Sequence, residues 1–277
     1  MNHYAIRKII DKSMRTLSYI ALIVALIPLF SILGEVILKG ASSINVNFFT
    51  RPSPTVGEAG GGAANAIQGT LITIGLASSI GIPLGLVSGI FLSEYSEAKI
   101  SSPIRFFNDV LSGFPSIVVG VFCYALLVRA IGFSVTAAAF ALAIIMIPIV
   151  TRTTEEAMKL VPATVREAAI ALGVSRWRTI ISVVLSDARK GVATGMLLAL
   201  ARIAGESAPV LVTMGYWRWW FAGLNQPVAS LTLNIYIFAI SPFENWQALA
   251  WGSALVLVMI ILGINIIVRA ATREKYK

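Results

Sequence analysis

Apolar residues along this chain gather in long unbroken runs, unlike the alternation of a half-buried strand or the narrow stripe of a soluble amphipathic helix. Six runs stand out, at residues 17–38, 67–91, 110–128, 133–150, 191–212 and 248–268. Crossing a hydrocarbon core of about 30 Å takes roughly 20 helical residues, and each run is close to that length or beyond it. A segment in lipid must satisfy its own N–H and C=O groups, so these runs predict helices. Pro83, Pro115 and Pro148 fall inside or near the ends of three runs. Packed neighbours tolerate such prolines, and the many Gly and Ala residues between them allow close helix approach. The expectation is an all-α polytopic membrane protein with six transmembrane helices, a single domain over 17–277 preceded by a tail at 1–16.

Composition strengthens this picture. The chain is 57% hydrophobic and 13% charged, with a mean hydropathy of +0.83, too apolar for a soluble domain. The first run follows Arg7, Lys8, Lys12 and Arg15, as in a signal peptide. Its length, Pro28 and the lack of a small-x-small cleavage site make it an uncleaved first span instead.

The formal net charge of +9 is dispersed and has no basic stripe with interleaved aromatics, so it argues for membrane topology and not for nucleic acid. With the N-terminus inside, seventeen Lys and Arg residues fall on the cytoplasmic side and only Lys39, Arg51, Arg129 and Arg218 on the other. That asymmetry predicts both termini in the cytoplasm. A charge-free stretch, 219–243, is long enough to cross, but a seventh span would put the basic C-terminal tail outside. Its Asn225, Gln226, Pro227 and Asn234, beside Trp217, Trp219 and Trp220, read as an external interfacial or re-entrant segment. External loops are thus expected at 39–66 and 213–247.

Candidate chemistry is sparse. Cys123 and His3 are the only residues of their types, so no disulfide or Cys/His metal site is expected. The 39–66 loop holds Arg51-Pro52-Ser53-Pro54 and Gly60-Gly61-Gly62, which read as a flexible outer connection. A phosphate-cradling P-loop would need Gly-Lys-Ser/Thr opening a helix, and the chain has no Gly-Lys pair. No catalytic residues are expected, and any ATP chemistry must come from a partner.

The internal loop 151–190 is more ordered in pattern. Pro162 suits a helix start, residues 165–172 have good helix propensity, and Gly173 suits a left-handed stop. Ser175 suits the cap of a second helix through Arg176-Trp177-Arg178. Ala168, Ala169 and Ala171 leave the first helix thin enough to enter a groove, with Arg166 and Glu167 at its rim. Periodicity alone equally allows a surface helix that touches only lipid headgroups.

Glu167-Ala168-Ala169 followed by Gly173 resembles the EAA coupling motif of ABC importer permeases. The longer run 167–180, with 194–209 and the stretch 60–71, resembles the A-type permease subunits of phosphate-specific ABC importers. The similarity covers about residues 60–213, and beyond that topology alone matches. One departure is Leu185-Ser186, where the family usually has Leu-Pro, so a bend expected there lacks its proline.

The resemblance implies a type I ABC importer permease fold and a coupling helix docked on a separate ATP-binding subunit, with Arg166, Glu167, Ala168, Ala169 and Gly173 in contact. It also implies a heterodimer with a second permease, two ATP-binding subunits that hold ATP and magnesium, an extracytoplasmic phosphate-binding protein and a prokaryotic plasma membrane. This chain itself binds no cofactor. Another oxyanion (sulfate, molybdate, phosphonate) and, from a different class, an ion-coupled secondary transporter or channel remain alternatives.

Arg202 lies inside an apolar run with Glu206 at i+4. A charge near the bilayer centre costs about 2.5–3.5 kcal/mol on insertion scales, so it must face the interior. Pro209 cannot donate to the carbonyl of Gly205, which predicts a locally opened helix. The helix alone allows either a self-neutralising ion pair or an anion contact. The resemblance favours the substrate pathway, with Thr73 and Ser78 as weaker candidates.

Overall fold

The computed structural model describes residues 3–56, 58 and 60–272, and among them there are helices and no strands. In chain order the helices are α1 (His3–Ser43), α2 (Val46–Thr50), α3 (Ala64–Glu94), α4 (Ser101–Gly113) and α5 (Ser116–Cys123). A π-helical stretch, Tyr124–Val128, continues α5 into α6 (Arg129–Ile131). Then come α7 (Val135–Lys159), α8 (Ala163–Ala171) and α9 (Arg176–Arg178), followed by a second π-helical stretch, Thr179–Val184. The remainder is α10 (Leu185–Ala204), α11 (Ala208–Thr213), α12 (Leu231–Ala239) and α13 (Glu244–Thr272).

Among the described residues four helices, at Arg7–Ser43, Ala64–Glu94, Val135–Lys159 and Glu244–Ala270, are long and apolar enough to cross a membrane. The third expected run is a broken element: Ser101–Gly113 and Ser116–Ile131 meet at 104°. Pro115 lies at that corner, where it ends the preceding helix because the residue before a proline avoids α-helical backbone. The fifth expected run divides into α10 and α11. Leu185-Ser186, the place of the expected bend, opens α10 directly after the π-helical stretch Thr179–Val184.

The centre of the bundle is the α3–α7 pair. Its closeness is written in glycines four residues apart. A Cβ on Gly85 would lie 2.6 Å from the Cβ of Val150, and one on Gly89 would lie 2.6 Å from the carbonyl oxygen of Thr151. Only backbone without a side chain permits such contact in a bundle that has no hydrophobic drive between helices in lipid. Ile74, Ala77, Leu142, Met146, Ile203 and Val210 join this pair to α10 and α11 in one buried cluster.

Outside that core, α1 packs against α13, where Gly40 rests on Trp251 and Leu255. Most of α1 keeps its apolar side chains exposed, Phe30 and Ile32 among them, as a lipid-facing span would. The helix begins at His3, well before residue 17, so what is described of the expected N-terminal tail is helical. The basic residues Arg273, Lys275 and Lys277 lie outside the described residues.

In its described residues the stretch 39–66 is tied to the bundle, unlike the flexible connection expected from its Pro and Gly content. Ser53 and Asn65 are fully buried, and the Asn65 Oδ1 accepts bonds from the Ser53 N–H and hydroxyl at 3.0 and 3.1 Å. Asn65 Nδ2 in turn donates to the Arg218 carbonyl at 2.6 Å, and Asn234 Nδ2 to Ser53 Oγ at 3.2 Å. Those long-range bonds satisfy buried polar groups that would otherwise hold the loop open to water. The stretch 219–243 does not make a span, since α12 has nine residues, about 14 Å at 1.5 Å per residue. It tucks inward against α3 and α13, with Leu231, Leu233 and Phe238 fully buried.

Candidate functional site

Helix α10 ends at Ala204, and Gly205 caps it at φ −90° and ψ −4°. Tight turns follow: the Gly205 N–H bonds Arg202 O at 3.2 Å and the Glu206 N–H bonds Ile203 O at 3.3 Å. Pro209, one residue inside α11, offers no N–H to the carbonyl of Gly205. The opening expected beside Glu206 is therefore present as a full break. Arg202 and Glu206 face each other across that break and not along one continuous helical face, with 3.4 Å between the guanidinium Nη2 and Oε1.

The two side chains differ in environment. The Arg202 side chain is 56% exposed and that of Glu206 is 14% exposed. Arg202 opens into a cavity of about 400 Å³, walled by Ser112, Phe114 and Ser116 at the α4–α5 corner and by Ile145, Pro148 and Ile149 of α7. Ser116 is the first residue of α5, so the positive end of that helix borders the same space. Glu206 lies on the other side, in a narrow gap with Thr70, Thr73 and Thr232. The Thr73 hydroxyl bonds Gly69 O at 2.7 Å, the back-bonding that weakened it as a candidate. The Ser78 hydroxyl is buried without a protein partner.

A second cavity, of about 300 Å³, shares Ser112 and Pro148 with the first and reaches Arg105, Arg152 and Glu155 near the end of α7. Its ion pairs were not legible in sequence. Arg105 donates to Glu155 Oε1 from Nε at 3.1 Å and Nη2 at 3.0 Å, and Lys159 bonds the same oxygen. Arg105 and Glu155 are 50 residues apart, and no local pattern links them.

The loop after α7 forms a helix and a sharp turn, as its sequence predicts. Pro162 stands at the N-cap of α8. At the other end Gly173 has φ +81°, its N–H bonds Ile170 O at 2.9 Å, and the Val174 N–H bonds Ala169 O at 3.1 Å. This pair of bonds is the Schellman arrangement, which needs a residue that accepts left-handed backbone. Ser175 occupies the next N-cap position, but its side chain makes no capping bond.

Along α8, Glu167 and Ala168 face outward and Ala169 is buried. Leu160, just before α8, Leu172, just after it, and Trp177 of α9 are exposed apolar side chains, at 84%, 85% and 61%. Arg166 is the exception to the expected rim. Its Nε and Nη2 bond Glu94 Oε1 at 3.1 and 2.9 Å, and its Nη1 and Nη2 reach the Val161 and Met158 carbonyls at 2.6 and 2.9 Å. It turns inward because the last carbonyls of α7 and the Glu94 carboxylate offer acceptors that the outer face lacks.

The sequence profile of the family described as binding-protein-dependent transport system inner membrane component matches residues 81–274. The chain belongs to this family. It is 43% identical over 261 residues to the phosphate transport system permease protein PstA of Yersinia pestis, covering 94% of this chain and 88% of that one. It is 41% identical to the protein of the same name from Pasteurella multocida, over 99% of each chain. As an inner membrane component it also shares its fold with solved transporter subunits. An inward-facing MetNI methionine ABC transporter structure matches with a TM-score of 0.60 at 19% identity, over 76% of this chain and 94% of that one. The fold is thus that of an ABC importer permease.

Proposed function

We propose that this chain is the transmembrane permease subunit of an ATP-driven importer of inorganic phosphate. It forms half of a translocation pathway with a second, related permease and draws work from two separate ATP-binding subunits, which hold the ATP and magnesium. An extracytoplasmic phosphate-binding protein delivers the substrate. Both termini lie in the cytoplasm of a prokaryotic cell, and α10 with α11 makes a sixth, broken crossing. The likeness over 99% of both chains to a protein named for phosphate transport carries this reading.

Arg202 suits the chemistry. A planar guanidinium can take two oxygens of one phosphate through charge-assisted bonds. Glu206, 3.4 Å away, neutralises the arginine in an apolar setting while the route is empty. Its carboxylate can also accept from a protonated phosphate oxygen, a donor that fully ionised sulfate lacks. The two cavities border each other at Ser112 and Pro148, and in this reading the anion passes between them from Arg202 toward the end of α7. Beyond that end the outward Glu167 and Ala168, with the exposed Leu172 and Trp177 close by in sequence, dock in a groove of the ATPase. The docked lever moves the pathway only if it fits two nucleotide states unequally.

Uptake of labelled phosphate by cells that have no other uptake route, expressing the whole complex, tests this reading. Arg202→Gln removes charge-assisted bonds of about 1.5–3 kcal/mol each, so uptake by the assembled complex falls about 10–100-fold. Normal uptake would remove Arg202 from the route. Stronger uptake of sulfate, molybdate or a phosphonate by the wild-type complex would reassign the substrate.

A further inference from the structure

Three chain segments meet under the coupling turn. Glu94 ends α3, Met158 and Val161 flank the end of α7, and Arg166 lies in the first half of α8. The Glu94 side chain is 8% exposed and that of Arg166 is 22% exposed, so the pair is removed from water. Arg166 makes four hydrogen bonds, two to the Glu94 carboxylate and two to carbonyls at the end of α7. From beyond the Gly173 turn, Arg176 reaches back as well: its Nη2 bonds Glu94 O at 3.2 Å, and its guanidinium lies 4.8 Å from the centre of the Tyr95 ring. Both arms of the coupling turn therefore reach Glu94, Arg166 at its carboxylate and Arg176 at its carbonyl.

We propose that Glu94, Arg166 and Arg176 are positioning residues that lock the coupling turn to the α3–α7 pair, so that the ATPase moves turn and pair as one body. This inference rests on the permease reading above. Helix α7 carries Ile145, Pro148 and Ile149, which wall the cavity at Arg202. Arg202 itself stands on α10, joined to the turn through α9 and the helical stretch before it. A push on α8 is thereby delivered to the cavity wall opposite Arg202, and the route changes shape between the two. Arg166 does this from inside, without touching the ATPase. Breaking the lock leaves docking intact, because Glu167, Ala168, Leu172 and Trp177 stay exposed, but lets the turn move without the pair.

The experiment measures ATP hydrolysed per phosphate imported by the purified whole complex in vesicles. Arg166→Ala is expected to keep ATP hydrolysis within about twofold and to raise the ratio at least about fivefold, since its lever no longer reaches the pair. Arg166→Lys, which keeps the charge but loses the fork, lies between wild type and Arg166→Ala. Glu94→Gln also raises the ratio. An unchanged ratio in Arg166→Ala, with uptake and hydrolysis falling together, would overturn the inference, because that is what mere loss of folded complex produces. Should Arg166→Ala not assemble, spin labels at Lys99→Cys and Thr164→Cys in the otherwise wild-type complex decide. Their separation stays constant with and without ATP if the parts move together, and a change of several ångströms refutes the lock. Wild-type complex that hydrolyses ATP but imports no phosphate would refute the transport reading and leave the label test standing.

Discussion

Arg105 and Glu155 form a two-pronged ion pair between α4 and α7. Two nitrogens of the guanidinium bond one carboxylate oxygen at 3.0 and 3.1 Å, while a third contact joins Nη2 to the Leu92 carbonyl at 3.0 Å. The Glu155 side chain is 4% exposed. This arrangement ties α4 to the ends of α3 and α7.

Removing one partner of such a pair leaves a buried charge, at a cost of about 3–5 kcal/mol. Lys159 still reaches Glu155, so Arg105→Ala is expected to cost about 3 kcal/mol, the lower end of that range. Arg152→Ala breaks contacts whose side chains are more than half exposed and should cost about 0–1 kcal/mol. Thermal unfolding of the detergent-solubilised complex checks both, and equal shifts would contradict the ranking.

Gly85 is one of the tight points of the α3–α7 contact. Gly85→Val forces a side chain onto Val150, 2.6 Å from where the first added carbon would lie, and overpacking of this kind costs about 1–3 kcal/mol or more. Gly75, on the same helix with nothing within 4 Å, is the matched control. Gly75→Ala should be neutral or stabilising by up to about 1 kcal/mol. Yield of assembled complex and its melting temperature read out the difference.

The turn after α8 depends on backbone and not on space. No atom lies within 4 Å of a Cβ at Gly173, yet φ is +81° there. Gly173→Ala should therefore cost about 1–2 kcal/mol through left-handed strain alone. Gly173→Asn should be better tolerated, because Asn accepts that region more readily. Hydrogen exchange at the Val174 amide, which is bonded to Ala169 O, reports whether the turn has loosened.

Glu58 predicts an acid response. Bonds from the Thr55 N–H and hydroxyl, and after them the Arg218 charge, hold its carboxyl below the ordinary value of 4.5. A lowered folded-state pKa means that the stabilisation is complete above the unfolded value and is lost as pH falls through the folded one. Contacts of Glu58 with Thr55 and Arg218 should thus loosen only below about pH 4.5. Arg218 lies 4.4 Å from the centre of the Trp219 ring, so tryptophan fluorescence can follow the change. Glu58→Gln should abolish that acid step.

Much of the architecture was legible one residue at a time. Long apolar runs demand helices in lipid, because no other conformation of a single segment satisfies its backbone there. The break beside Pro209 follows from its missing N–H, whereas the 104° corner at Pro115 divides a run that reads as one span, and Pro83 and Pro148 lie inside unbroken helices. The turn at Gly173 followed from the same kind of local rule. The flexible loop expected at 39–66 failed because its ordering comes from partners far along the chain: Asn65 bonds the carbonyl of Arg218, 153 residues away.

The amino-acid order alone determined the helical class, the break beside Pro209 and the left-handed turn at Gly173, all of which depend on backbone chemistry within a few residues. Which side chains meet was decided only by tertiary structure. Arg166 illustrates the division: its place on a short helix was readable, but its inward turn toward Glu94, 72 residues away, was not. Ion pairs and buried amides depend on the relative placement of whole helices, and that placement is set by packing across the bundle, as at Gly85 and Gly89.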